Sequence, residues 1–374
     1  MHILTKSHRS PGHIAKSLRE ELLKLDDKIC EKKAVKNVAE IDRLLTAAKE
    51  ILCDLDDNPR LFNKSSPVMQ LTNEFAYAEI VPRLITHLQR LPFESRKKVA
   101  VVVVNLLRRK IGFRSSTAEI LRKHPDVLVD LIEGYENHDI APVCGIMLRE
   151  CARHESLAKA IFDLPQFYNL FSYIETPSFE ISADAFTTFK HFMQENKRLT
   201  AVFLVSNFDQ FFSYYQLLLT SDNCLTRREA LRLLGELLNE PVNSRITEKY
   251  VKNVQNFRQT MWALIDKSPI IQWEAYEVFK ASQVCLKQHD FFQFQIFLSH
   301  PARSKSVTHL LVKNREKLTL FMDEFLVVKK LDAELAAEKE QVIRQIRELG
   351  VHHSALPTCA PRPLEKLSSL SESV

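Results

Sequence analysis

The residues whose type and spacing best suit recognition of another molecule are Arg228 and Arg232, in the string "TRREALRLLGELL". Four apart on a helix, they share one face. Two stacked guanidinium groups there suit an acidic or aromatic partner surface, and the competing reading is an ordinary solvated helix face. Other candidate chemistry falls away on inspection. "CDLDDN" puts Asp54 at the start of a calcium-loop pattern, but the sixth position is Pro59 and the twelfth is Ser65. The turn glycine and the bidentate glutamate are therefore both missing, and no metal site follows. There is no glycine-rich phosphate loop, His-Glu-x-x-His helix, Gly-x-Ser-x-Gly elbow or kinase signature set. "RHES" at Arg153–Ser156 and the pair His352, His353 stand isolated. With no nucleophile, base and orienting group in one place, the chain reads as a protein without an enzymatic site and without a cofactor.

Composition points to the elements that must carry such a recognition face. Only six glycines occur in 374 residues. Hairpin turns and phosphate loops both depend on glycine's freedom at positive φ, so an all-α chain is expected. Most of the fifteen prolines fall between apolar-periodic segments, where a residue without an amide donor starts or stops a helix. The net charge of +5 is spread over 52 basic and 47 acidic residues, too weak and scattered for a nucleic-acid binder, although "KSHRSPGHIAK" forms a basic N-terminal arm. Seven cysteines show no Cys-x-x-Cys pair and no framework spacing, which predicts free thiols in a reducing, cytoplasmic setting. The longest apolar run, "VAVVVVNLL", is far short of the ~20 residues that span a bilayer, so no membrane insertion is expected.

The organising feature is a repeat. "KKVAVVVVNLLRR", "PVCGIMLRECARH", "SADAFTTFKHFMQ", "TRREALRLLGELL" and "IQWEAYEVFKASQ" each set a small residue early in an apolar helix: Ala100, Gly145, Ala185, Ala230 and Ala275. These recur 45, 40, 45 and 45 residues apart. That period predicts two or three helices per unit and one curved armadillo/HEAT-like solenoid over residues 1–349. A small residue at a fixed register lets neighbouring helices approach closely. Ala230, Leu231, Leu234, Leu237 and Leu238 form the core stripe of one copy, which leaves Arg228 and Arg232 on another face.

Phe186 follows the repeat's alanine and is joined by Phe189 and Phe192, a core pattern. Phe179, two residues after Pro177, lies outside that register at a helix entrance. Two readings stay open for it from the residues alone: a hydrophobic staple against the first turn, or an exposed anchor between repeats.

The strings "KSHRSP", "NLLRRKIG", "CGIMLRECARHESLAK", "SADAFTTFK", "LLGELL", "EAYEVFK" and "LVKNREKL", in order from Lys6 to Leu349, resemble the calcium-binding protein 39 (mouse protein 25) scaffold family. The resemblance implies a non-enzymatic scaffold whose concave face binds Ste20-family protein kinases and the pseudokinase STRAD. It also implies assembly of a liver kinase B-type complex. Carried over by position, the family's kinase-facing phenylalanine is Phe179, its basic pair is Arg228 and Arg232, and a tyrosine of the cluster is replaced by Cys224. Arg232 stands where lysine is usual. The pocket for a partner's C-terminal Trp-Glu-Phe tail maps to Met261, with Lys313 as the nearby cation. No calcium site follows from the family's name.

Two segments depart from the resemblance. "ASQVCLKQHDFFQFQ", residues 281–295, has no counterpart, and reads either as a loop between helices or as an intron translated in frame. The Ser- and Pro-containing tail, 350–374, is expected to be disordered. The alternative to a kinase activator is a diverged helical-repeat adaptor for protein or nucleic-acid transport or assembly. Interleaved acidic residues weigh against its nucleic-acid form.

Overall fold

The computed structural model describes residues 10–26, 31–53, 66–109, 115–280, 303–324 and 333–349, with 282–283, 294–295 and 298. The aspartate string at 54–65, the tail at 350–374, the first residues of the basic arm and most of 281–295 lie outside the described residues.

The described chain is helical apart from one two-residue ladder. A partial unit of α1 (Pro11–Asp26) and α2 (Glu31–Cys53) is followed by α3 (Pro67–Tyr77), α4 (Ile80–Thr86) and α5 (Phe93–Arg108). Next come α6 (Ser116–Lys123), α7 (Pro125–Glu133) and α8 (Ala141–Ala152), then α9 (Glu155–Phe162), α10 (Asn169–Ile174) and α11 (Phe179–Glu195). The following units are α12 (Lys197–Ser206), α13 (Phe208–Leu219) and α14 (Cys224–Asn239), then α15 (Ser244–Lys252), α16 (Val254–Leu264) and α17 (Pro269–Lys280). The described array ends with α18 (Lys305–Lys313), α19 (Arg315–Glu324) and α20 (Ala333–Glu348). Between the last two units, β1 (Ser282–Gln283) pairs antiparallel with β2 (Phe294–Gln295). Residues 282–283 and 294–295 therefore lie side by side.

Local chemistry sets these boundaries. Pro11, Pro67, Pro125 and Pro269 occupy first helical positions, where the missing amide has no intrahelical partner to lose. Ser66, Ser115, Asn223, Asn253 and Ser304 accept hydrogen bonds from the first-turn amides of α3, α6, α14, α16 and α18.

Stacking runs from each helix to the third one after it. α3, α6, α9, α12 and α15 pack in sequence, and α1, α4, α7, α10 and α13 do the same. The third row is α2, α5, α8, α11, α14 and α17, and its last five members are the repeats read from sequence. Ala100, Ala185, Ala230 and Ala275 are all buried. This is the solenoid the period predicted, with three helices per unit. Between the rows runs an apolar core that turns aromatic at α9–α13, where Phe162 stacks on Phe203 at 4.4 Å between centroids and Phe189 stacks on Phe211 at 6.2 Å.

Ion pairs join every neighbouring pair of this third row. Lys98 of α5 meets Asp42 of α2 at 2.7 Å, and Arg108 of α5 meets Glu150 of α8 at 2.9 Å. Arg149 of α8 meets Asp184 of α11 at 2.9 Å, and Lys190 of α11 approaches Glu236 of α14 at 3.8 Å. Arg228 of α14 meets Glu274 of α17 at 3.3 Å. The Arg149–Asp184 pair is extended by the Tyr135 hydroxyl, which donates to Asp184 Oδ2 at 2.6 Å. Burial raises that phenol well above its ordinary pKa, so it stays a donor.

Two glycines in the row predict opposite outcomes. A Cβ at Gly145 would run into the Asp184 carboxylate and the Tyr135 hydroxyl, both pinned in that network, whereas at Gly235 it would only touch Val278 Cγ2 at 3.7 Å. Gly145→Ala should lose about 1–3 kcal/mol through overpacking, and Gly235→Ala should gain up to about 1 kcal/mol of helix propensity. Urea unfolding of both variants checks this, and a shift of the same sign in both would contradict it.

Candidate protein-docking site

Phe179 is the first residue of α11, and its side chain is 65% exposed. Side chains on a helix lean toward its N-terminus, so a first-position residue has no preceding turn to cover it. Such exposure excludes the staple. Phe186, Phe189 and Phe192 on the same helix are buried, as their spacing predicts.

Cys224 holds the equivalent first position of α14, the neighbour of α11 in the row. It is exposed, its Sγ lying 3.8 Å from Ser268 Oγ before α17. Leu225 and Ile270, the second residues of α14 and α17, are also exposed. The N-terminal ends of three neighbouring helices thus present apolar and thiol groups together. Cys144 and Cys151, by contrast, are buried, and burial pushes both thiols up to about 12, far from a reactive thiolate.

Arg228 and Arg232 rise from this end along α14. Arg228 is not a free cation: its Nε faces Glu274, a nearly buried carboxylate, while its own side chain keeps 38% of its surface exposed. Arg232 pairs with Glu229 on its own helix. Arg227, which sequence reasoning passed over, donates to the Ser221 carbonyl at 2.6 Å and approaches Asp266 at 3.6 Å. It ties the loops before α14 and α17 together. Arg228 is held in place from below by an acid of the next repeat.

Met261 lies one unit further on. It lines a groove of about 400 Å³ between α16 and the α18–α19 pair, with Phe257, Trp262, Leu310, Leu318 and Phe321. Trp262 is 66% exposed, an unusual state for so large an apolar side chain and one that suits an interface. The cations at this groove are Arg258 and Lys317. Lys313, in the last turn of α18, is exposed and lies outside the lining. Of the two residues expected there, Met261 lines the groove and Lys313 stands outside its lining, to which Arg258 and Lys317 contribute the cations.

No described group of three or more His, Cys, Asp or Glu side chains is arranged to hold a metal ion, and no described helix is long and apolar enough to cross a membrane.

A three-helix solenoid with exposed aromatic, cationic and apolar-groove features along successive repeats is an armadillo-like interaction array in architecture. Comparison with known proteins narrows this. The Mo25-like family profile matches residues 2–350, and the chain belongs to that family. It is 39% identical over 349 residues to mouse "Calcium-binding protein 39-like", covering 93% of this chain and 98% of the relative. It is 38% identical to "MO25-like protein 2" of Caenorhabditis elegans, covering 92% and 98%. It is 30% identical to "Mo25-like protein" of Schizosaccharomyces pombe, covering 93% and 99%.

The Arg228–Glu274 pair makes a stability prediction. Arg228→Ala strands a buried carboxylate and should cost about 1–2 kcal/mol, less than a fully buried pair because the arginine is partly solvated. Adding Glu274→Gln should recover part of the loss in a double-mutant cycle read by denaturant unfolding. Additive losses would show the two side chains to be uncoupled.

Proposed function

We propose that this chain is a non-enzymatic, cytoplasmic scaffold that docks Ste20-type protein kinases and a STRAD-like pseudokinase on the N-terminal ends of its third-row helices. Phe179 is the apolar anchor, and Arg228 and Arg232 supply the cationic side. A partner's C-terminal tail enters the groove at Met261, where Lys317 and Arg258, with Lys313 at the margin, meet its acidic groups. With the pseudokinase bound, the same face organises a liver kinase B-type kinase.

Activation needs no chemistry from the scaffold. A partner that binds only the active arrangement of a kinase favours it by its differential affinity for the two states. A rigid row of stacked helices suits that role, because a surface that deformed with its partner would discriminate poorly between conformers. The observation that carries the reading is the bare Phe179 at the head of a helix whose other phenylalanines are all buried, in a member of this family.

Cys224 marks a departure with a consequence. A thiol in place of the family's tyrosine removes a large amphipathic contact from the centre of the surface, so docking is weakened relative to a tyrosine-bearing relative.

The test is Ste20-type kinase activity titrated with the purified protein. Phe179→Ala should raise the half-activating concentration by roughly 30-fold, a hot-spot-sized effect, without lowering the melting temperature. Cys224→Tyr should tighten docking by about tenfold. No activation by the unmodified protein at any concentration would overturn the kinase reading and favour the adaptor alternative.

A further inference from the structure

The groove at Met261 lies within reach of the chain's own tail, and we infer that residues 364–370 occupy it in cis, so that any partner segment must displace them. The lining says what the groove accepts. Trp262 and Ile265, 66% and 64% exposed, stand with Met261 and Phe321 around a volume of about 400 Å³. Apolar surface bared on this scale marks a place that another segment covers. The groove's cations, Arg258 and Lys317, have no acidic partner among the described residues. Its occupant is therefore apolar on one side and carries carboxylates.

The end of α20 shows that such a segment is at hand. Arg315 Nη1 donates to the Leu349 carbonyl at 3.2 Å, which pins the last described residue to the start of α19. Asn314 and Lys317, close neighbours of Arg315 in the chain, both line the groove. The tail thus departs roughly one helix diameter, ~10–12 Å, from its rim. Residues 350–363, fully extended, span up to roughly 45 Å, several times that separation.

Beyond them, Leu364, Leu367 and Leu370 recur at every third position, with Glu365 and Glu372 beside them and Lys366 the one cation after Arg362. Leucines so spaced are the pattern by which a segment lays one apolar face into a groove, and the two glutamates complement Arg258 and Lys317. The other hollow near the departure point lies on the opposite side of α19 and is lined by Arg315, Glu316, Thr319, Leu320 and Arg347. With a single apolar side chain, it does not accept three leucines.

Tethering makes a weak contact sufficient. A tether of this length holds the segment at an effective concentration of about 1 mM, so an intrinsic Kd of about 0.2 mM keeps the groove mostly occupied. A partner's tail arriving from solution then loses about sixfold in apparent affinity. That consequence rests on the partner-tail reading given above; the cis contact does not.

The test follows the two tryptophan indole resonances of the full-length protein, assigned by the loss of one in Trp262→Phe. Leu367→Asp and Leu370→Asp, introduced together, lie outside the described array. They should move the Trp262 indole and leave that of Trp273, which is not in the groove lining, unchanged. A blocked peptide of residues 362–373, added to this double variant, should return the Trp262 resonance toward its original position with a Kd on the order of 0.1–1 mM. A Trp262 indole that the double substitution leaves in place overturns the inference. A position that changes on roughly twentyfold dilution of the unmodified protein assigns the contact to the tail of a second copy, and overturns the cis arrangement. A peptide ending in Trp-Glu-Phe should bind the double variant about sixfold more tightly than the unmodified protein. If the indole moves as expected but that peptide binds neither form, the cis contact stands and the partner-tail reading fails.

Discussion

The close approach of six helices, α2, α5, α8, α11, α14 and α17, is the constraint on which the rest of the structure depends. Small residues at one register permit it, and Gly145 shows how little room remains, since a single added methyl would collide with the next helix's aspartate. At that spacing, side chains from adjacent repeats reach each other across the row. The five inter-helix ion pairs from Lys98–Asp42 to Arg228–Glu274 are a consequence of the approach rather than its cause, because partly exposed pairs contribute modestly while apolar burial dominates.

Stacking in register also sorts the row's two ends. Equivalent positions of successive helices fall side by side, so a feature at a helix start becomes a stripe along the array. The starts of α5, α11, α14 and α17 expose Phe93, Phe179, Leu225 and Ile270. The ends of α11 and α14 collect acceptors instead, including the orphan carbonyls of Asn239 and Asn243.

The row itself was legible in the sequence because a small residue recurring at a 40–45-residue period has few other physical explanations. Its first member, α2, escaped, since the repeat read from sequence begins only at Ala100. Phe179 was legible as an outlier from the core register, but not as exposed, because that depends on its being the first residue of α11. The arginines were legible as a face. Glu274 was not, since within "WEAYE" it is one acidic residue among two and only the packing of α17 on α14 selects it. Lys317 was missed for a related reason: order along the chain does not say which of two lysines four apart faces a groove, and the start of α19 at Arg315 decides it. Asn243 gave no signal at all, because an orphan acceptor exists only in three dimensions.

The measurement that tests the docking face most directly is hydrogen exchange of this protein free and bound to a Ste20-type kinase or STRAD-like pseudokinase. Slowed exchange concentrated in the first turns of α11, α14 and α17 and in the last turn of α16 is the predicted footprint. A footprint confined to the rows formed by α3, α6 and α9 or by α4, α7 and α10, with those first turns unchanged, would contradict it.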